Sequence, residues 1–132
     1  MKNNKKMHNN ANIAMVIVII SVFIYYYTIP SNKDWFNEKK SAIVSSYRQE
    51  LIIQRNIINS LVELKATEVS EEDTDTIMEY YGGMIDDYKH YKDMTNKYIE
   101  EYNKMYNSLD IISKSRIENI TRENLEVLTY GK

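Results

Sequence analysis

From Ile13 to Ile29 the chain reads Ile-Ala-Met-Val-Ile-Val-Ile-Ile-Ser-Val-Phe-Ile-Tyr-Tyr-Tyr-Thr-Ile, seventeen residues without a charge, closed by Pro30. In water the β-branched run Val16–Ile20 would favour a strand, but it shows no polar alternation and has no partner strand. Inside a bilayer every backbone polar group must be satisfied within the segment, and a single segment achieves that only as a helix. Seventeen residues at a rise of ~1.5 Å give about 25 Å, just short of a ~30 Å hydrocarbon core, and Ala11 and Asn12 can extend it. Tyr25, Tyr26 and Tyr27 suit the headgroup layer, and Pro30 stops the helix there. The expectation is a basic tail over residues 1–10 and a transmembrane anchor over 11–30.

A cleaved signal peptide would share the basic start and apolar middle, but its cleavage site needs small residues one and three positions upstream. Between Val22 and Ile29 the chain offers no such pair. An uncleaved signal-anchor is therefore the expectation. Orientation follows from basic flanks: Lys2, Lys5 and Lys6 precede the span, while Lys33, Lys39 and Lys40 follow it. A short tail with three lysines is readily retained, so the reading is single-pass, tail cytoplasmic and residues 31–132 extracytoplasmic.

Residues 31–132 leave room for one soluble domain. With no cysteine in the chain, disulfides, thiolate metal sites and cysteine nucleophiles are excluded. Three glycines and one proline argue against a turn-rich β-fold. All 19 acidic residues fall in this region against 14 Lys/Arg, a net charge of -5. A net-acidic domain does not read as a nucleic-acid binder, which needs a basic face for phosphates.

The fold class expected is all-α: the membrane helix, then a long helical hairpin with coiled-coil character. A helix over about 35–68 follows from the three-four spacing of Val44, Tyr47, Leu51, Ile58 and Leu61, broken at Gln54 and widened by Ile43, Ile57, Val62 and Leu64. Ser70-Glu-Glu-Asp-Thr-Asp75 supplies a hydroxyl cap and carboxylates for the start of a second helix. That helix, about 76–113, carries a seam of alternating four and three steps: Ile77, Tyr81, Met84, Tyr88, Tyr91, Thr95, Tyr98, Tyr102, Met105, Leu109 and Ile112. A seven-residue repeat of this length keeps one face toward a partner. Each buried phenol needs a hydrogen-bond partner, so the seam is wetter than a leucine zipper. Gly82 and Gly83, costing about 2 kcal/mol together in a helix, suggest a hinge or break. A capping-box pattern, Ser115-Arg-Ile-Glu118, then predicts a short third helix over about 115–129. Whether the seam closes on its own chain or on another is open at this level.

Candidate chemistry is sparse. His8 and His90 lie on opposite sides of the span, so they cannot share a zinc site or triad. Glu71, Glu72, Asp73 and Asp75 could hold a hard cation, but the calcium-loop glycine and terminal glutamate are missing. Asp86–Asp87 and Glu100–Glu101 diverge by about 100° on a helix and form no acid–base pair. No phosphate loop, nucleophile elbow or metal-ligand motif occurs. No catalytic residue, metal site or cofactor is therefore expected. Asn119-Ile-Thr121 is a possible N-glycosylation acceptor.

Gln54-Arg-Asn-Ile-Ile-Asn-Ser-Leu-Val-Glu63, following an N-terminal anchor, resembles the first long helix of LemA-type bacterial membrane proteins over ten residues. It lacks the Pro-Asn pair that family carries where Asn59 and Ser60 stand. The resemblance implies a membrane-tethered helical bundle. The functional expectation is a non-catalytic, membrane-anchored interaction or scaffold protein, a small accessory subunit, whose seam takes a protein partner or a second copy. The alternatives are a cation or small-ligand sensor acting through the acidic turn 70–75, and a membrane-disrupting lysis protein.

Overall fold

The computed structural model describes residues 2–28, 32–67, 70 and 73–131. Among these the chain is all-α, with three long helices, α1 (Lys2–Thr28), α2 (Lys33–Ala66) and α3 (Thr74–Asn107), and two short ones, α4 (Ile111–Lys114) and α5 (Leu125–Tyr130). No strand occurs among the described residues.

α1 is one uninterrupted helix, and its stretch Lys6–Tyr27, 22 residues, is long and apolar enough to cross a membrane. At a rise of ~1.5 Å that stretch measures about 33 Å, so the shortfall expected from the uncharged run alone disappears. Every large apolar side chain from Ile13 to Tyr27 is more than half exposed to the surroundings. The hydroxyl of Ser21 donates to the Ile17 carbonyl at 2.8 Å, so this polar group within the run is satisfied inside the helix.

α2 and α3, 34 residues each, form an antiparallel hairpin about 50 Å long. Their register sets Phe36 beside Tyr102, Lys39 beside Tyr98 and Glu101, and Ser46 beside Tyr91 and Thr95. On α3 the seam positions from Ile77 to Leu109 are all buried or half-buried. On α2 the buried and half-buried face is Phe36, Lys39, Ile43, Ser46, Glu50, Ile53, Ile57, Ser60 and Leu64, also in strict three-four steps. Of the residues expected to face inward, Ile43, Ile57 and Leu64 lie on this face and Val44, Tyr47 and Leu51 are half-buried beside it, whereas Ile58, Leu61 and Val62 are exposed. The face is centred one residue away from the Val44–Tyr47–Leu51 line because Ser46 and Glu50 occupy inward positions through specific polar contacts, which an apolar pattern does not register.

Three other expectations are corrected. α3 runs unbroken through Gly82 and Gly83, where an added Cβ would meet nothing within 4 Å. Seam contacts on both sides hold the helix together, and tertiary context outweighs the propensity cost. α3 ends at Asn107 rather than near residue 113: Ser108 and Leu109 close the last turn on Met105 and Tyr106. The side chain of Asp110 then accepts from the Ser113 amide at 2.9 Å and its hydroxyl at 2.8 Å, starting α4. These bonds, the backbone one first, hold the Asp110 carboxyl below its ordinary range. Ile112 is thereby carried out of the seam and stands 48% exposed. Lastly, Ser115–Glu118 caps no helix. Ser115 donates to Ile112, and Glu118 turns to Lys40. The segment after α4 crosses the hairpin through turns at 115–116 and 122–124 until α5 begins at Leu125 and ends on Gly131, in the left-handed region at φ 68°.

The core sits at one end of the hairpin, nearest α1. Phe36, Ile43, Tyr102, Ile117, Ile120 and Leu125 form it, drawn from α2, α3 and the C-terminal segment. Phe36 meets the Tyr102 ring edge-on at 5.1 Å, with Trp35 against both. Burial is concentrated here, whereas Ile58, Leu61, Val62, Met78, Tyr80 and Ile85 in the far half are exposed. Ile43→Ala is expected to lower unfolding stability by about 3 kcal/mol, and Leu61→Ala to change it by no more than about 0.5 kcal/mol. Denaturant unfolding of the full chain in micelles, followed by the fluorescence of its single tryptophan, Trp35, measures both; equal losses would refute a one-ended core.

Candidate interaction surface

Around the base, the C-terminal segment is held by groups that each find a specific partner. Glu50 points inward from α2 and is 2% exposed. Arg122 binds its carboxylate through both terminal guanidinium nitrogens and also donates to the Asn96 side chain at 2.9 Å. The same guanidinium lies 5.9 Å from the Tyr47 ring centre. Arg48 donates to the Thr129 carbonyl at 3.1 Å, anchoring α5. Lys40 pairs with Glu118, whose carbonyl accepts the Tyr102 hydroxyl at 2.6 Å. Lys39 pairs with Glu101 at 2.5 Å and sits against the Tyr98 ring. The hydrogen bond from Lys39 holds the Glu101 carboxyl below its ordinary range. Within the hairpin, the Thr95 hydroxyl lies 2.9 Å from that of Ser46 and 2.8 Å from the Tyr91 carbonyl, with the Ser46 hydroxyl 3.2 Å from the same carbonyl, so the two protons are shared among three contacts.

Of the five seam tyrosines only Tyr102 is fully buried; Tyr81, Tyr88, Tyr91 and Tyr98 are half-buried. That pattern lets their hydroxyls reach water while the rings pack. Burial, with the nearby Glu118 charge and Tyr106 adding to it, pushes the Tyr102 phenol up to about 12.

Toward the hairpin tip the contacts thin out. A cleft of about 490 Å³ opens between the helices, lined by Ser60, Glu63, Leu64, Thr67, Asp73, Thr76, Ile77, Tyr80 and Tyr81. A second, of about 380 Å³, lies where α5 stops against α2, lined by Leu51, Gln54, Arg55, Ile58, Glu126 and Tyr130. The outward α2 stripe is thus covered by α5 and the segment before it near Tyr47, and bare from Ile58 to Leu61.

The chemistry-bearing residues stay apart. His90 is exposed, edge-on to Tyr91 at 5.5 Å. Asp73 accepts from the Ser70 hydroxyl at 2.5 Å, while Glu71 and Glu72 lie outside the described residues. Among the described residues no three His, Asp or Glu side chains are grouped to hold a metal. Asn119 is exposed, its carbonyl accepting from the Asn124 side chain at 2.9 Å. The contacts that sequence reasoning missed are the Glu50–Arg122 and Lys40–Glu118 pairs. A charged residue recurring in phase with Phe36, Ile43 and Ile57 was the available signal for Glu50.

The residues thus define an all-α protein with an apolar N-terminal helix and a helical hairpin clasped at its base. Comparisons with protein families, characterised proteins and solved structures find no match to this chain.

Two outcomes are expected. Arg122→Met leaves the Glu50 carboxylate buried without its partner and should cost about 3 kcal/mol, the lower end of the usual range because Arg122 is itself 34% exposed. Adding Glu50→Leu should restore most of that loss, and a double variant no better than the single would show that the pair is not coupled. In the alkaline limb, the unfolded chain loses the Tyr102 proton near pH 10 and the folded chain near 12, so stability falls as pH rises between them. Tyr102→Phe should flatten that decline, as read by unfolding midpoints across the same pH range.

Proposed function

We propose that this chain is a single-pass, membrane-anchored helical interaction or scaffold protein without catalytic activity, a small accessory subunit of a membrane assembly. α1 serves as an uncleaved anchor, with the tail before it cytoplasmic and residues 31–132 on the other side. The exposure of every large apolar side chain from Ile13 to Tyr27 supports the anchor, because a core helix of a soluble protein would be covered. Lys6 and the three tyrosines bracket the span at headgroup depth.

The observation that carries the interaction reading is the half-covered stripe on α2. The α3 seam, Ile77 to Leu109, is engaged by α2 of its own chain, so a partner needs another face. Near Tyr47 the outward stripe receives the chain's own C-terminal helix; at Ile58 and Leu61 it continues uncovered, beside exposed Val62. A stripe that already accepts one helix over half its length has the width and spacing to accept another over the rest. The occupant is an apolar-faced helix, from a second copy or from a partner protein in the same membrane.

The absence of cysteine makes the test clean. Ile58→Cys or Leu61→Cys, crosslinked in native membranes and resolved by mass spectrometry, should give one defined adduct, and Leu61→Asp placed beside Ile58→Cys should abolish it. Monomer alone at both positions, with the protein folded and in the membrane fraction, would remove the reading.

A further inference from the structure

We infer that the turn carrying α4 is a second membrane contact, in which Ile111 and Ile112 enter the headgroup–acyl boundary while Lys114 and Arg116 bind anionic lipid headgroups. The inference rests on α1 being membrane-embedded, and deepens that reading by fixing how the domain stands on the bilayer.

Depth is set by Arg116. Its guanidinium donates to the Tyr25 carbonyl at 3.4 Å and lies 5.0 Å from the Tyr25 ring centre. Tyr25 stands three residues from the end of α1, about 4.5 Å along the axis, at the level where phenol rings meet headgroups. Arg116 is therefore at the interface whenever α1 is inserted. Ile111 precedes it by five residues, about 8 Å of helical rise. Ile111 is 87% exposed, the highest value among the described large apolar residues, and Ile112 is 48% exposed. Two adjacent bare isoleucines, five and four residues from a headgroup-level arginine, then meet the bilayer as their apolar neighbour.

Charge agrees. Asp110 is turned into its own α4 cap through Ser113, and Glu118 is taken by Lys40. Among the described residues neither Lys114 nor Arg116 has a carboxylate within ion-pair distance; Lys114 lies 5.7 Å from the Tyr106 ring centre and Arg116 over the ring of Tyr25, so neither charge is neutralised by an acid in a domain that is otherwise acidic. Each basic side chain at an anionic surface shifts docking by about fivefold. The arrangement, a short apolar tip followed by two cations, suits an interfacial contact.

Single-cysteine variants of the full chain, labelled with an environment-sensitive nitrobenzoxadiazole probe, test this in vesicles containing lipids with headgroup-level nitroxide quenchers. Ile111→Cys should be blue-shifted and quenched in phosphatidylglycerol-containing vesicles, while Asp87→Cys, exposed on the middle of α3, stays aqueous. Lys114→Glu, which leaves the Arg116–Tyr25 contact intact, should reduce the docked fraction at Ile111 by at least about fivefold, since it also reverses the charge. An aqueous Ile111 probe beside a lipid-buried Met15→Cys probe overturns the second contact and leaves the anchor standing. Aqueous probes at both positions overturn the anchor as well. Equal quenching with and without anionic lipid, unchanged by Lys114→Glu, overturns the headgroup role of the cations.

Discussion

Two helices packed side by side have one seam between them, and a seam alone buries too little to hold a hairpin of this length. The structure answers that constraint at one end only. Residues 108–131 fold back across the base and add Ile117, Ile120 and Leu125 to Phe36, Ile43 and Tyr102, so that a third layer closes the core. Everything else depends on this return. It sets the segment that Arg122 and Arg48 hold, it decides which α2 stripe is covered, and it brings Arg116 to the end of α1.

The return segment has little regular structure of its own, so polar contacts must position it. The Glu50–Arg122 pair is the most demanding of these, because a carboxylate taken out of water is tolerable only with its partner in place. Such a pair adds little net stability over an apolar substitute, yet it discriminates strongly between the seated and the unseated segment. Lys40–Glu118 and the Tyr102–Glu118 hydrogen bond add the same selectivity a turn away. The base is thereby specified in register, and the far half of the hairpin, where only Ile53, Ile57, Leu64 and the α3 seam meet, is left lightly held.

That division suits a tethered interaction module. On the proposed function, the packed base would stand next to the membrane, and the lightly covered far half of the hairpin would offer its apolar stripe to a partner. Were the turn at Ile111 also seated on lipid, the domain would have two points of attachment to the bilayer, and its tilt would no longer be free.

The long apolar N-terminal helix was legible from residues alone because its signal is local: seventeen uncharged positions followed by a proline need no reference to anything else in the chain. The α3 seam from Ile77 to Leu109 was legible for a similar reason, since its period repeats over many turns. The start of α3 was legible in part: Asp75 stands in its first turn, but the Ser70 hydroxyl donates to Asp73 instead of capping the helix, and Glu71 and Glu72 lie outside the described residues. What went unread depended on contacts distant in sequence. The inward face of α2 holds Ser46 and Glu50, and these become acceptable inside only when Thr95, Arg122 and the Tyr91 carbonyl arrive from elsewhere. A hydrophobic count therefore chose the neighbouring stripe. The end of α3 at Asn107, the unformed helix at Ser115 and the unbroken passage through Gly82–Gly83 share that cause. Local propensity differs by a kilocalorie or so per residue, and packing against the rest of the chain outweighs it. Periodicity and solvent preference are properties of a segment and can be read along it; which polar groups are satisfied, and which face is covered, are properties of the folded whole.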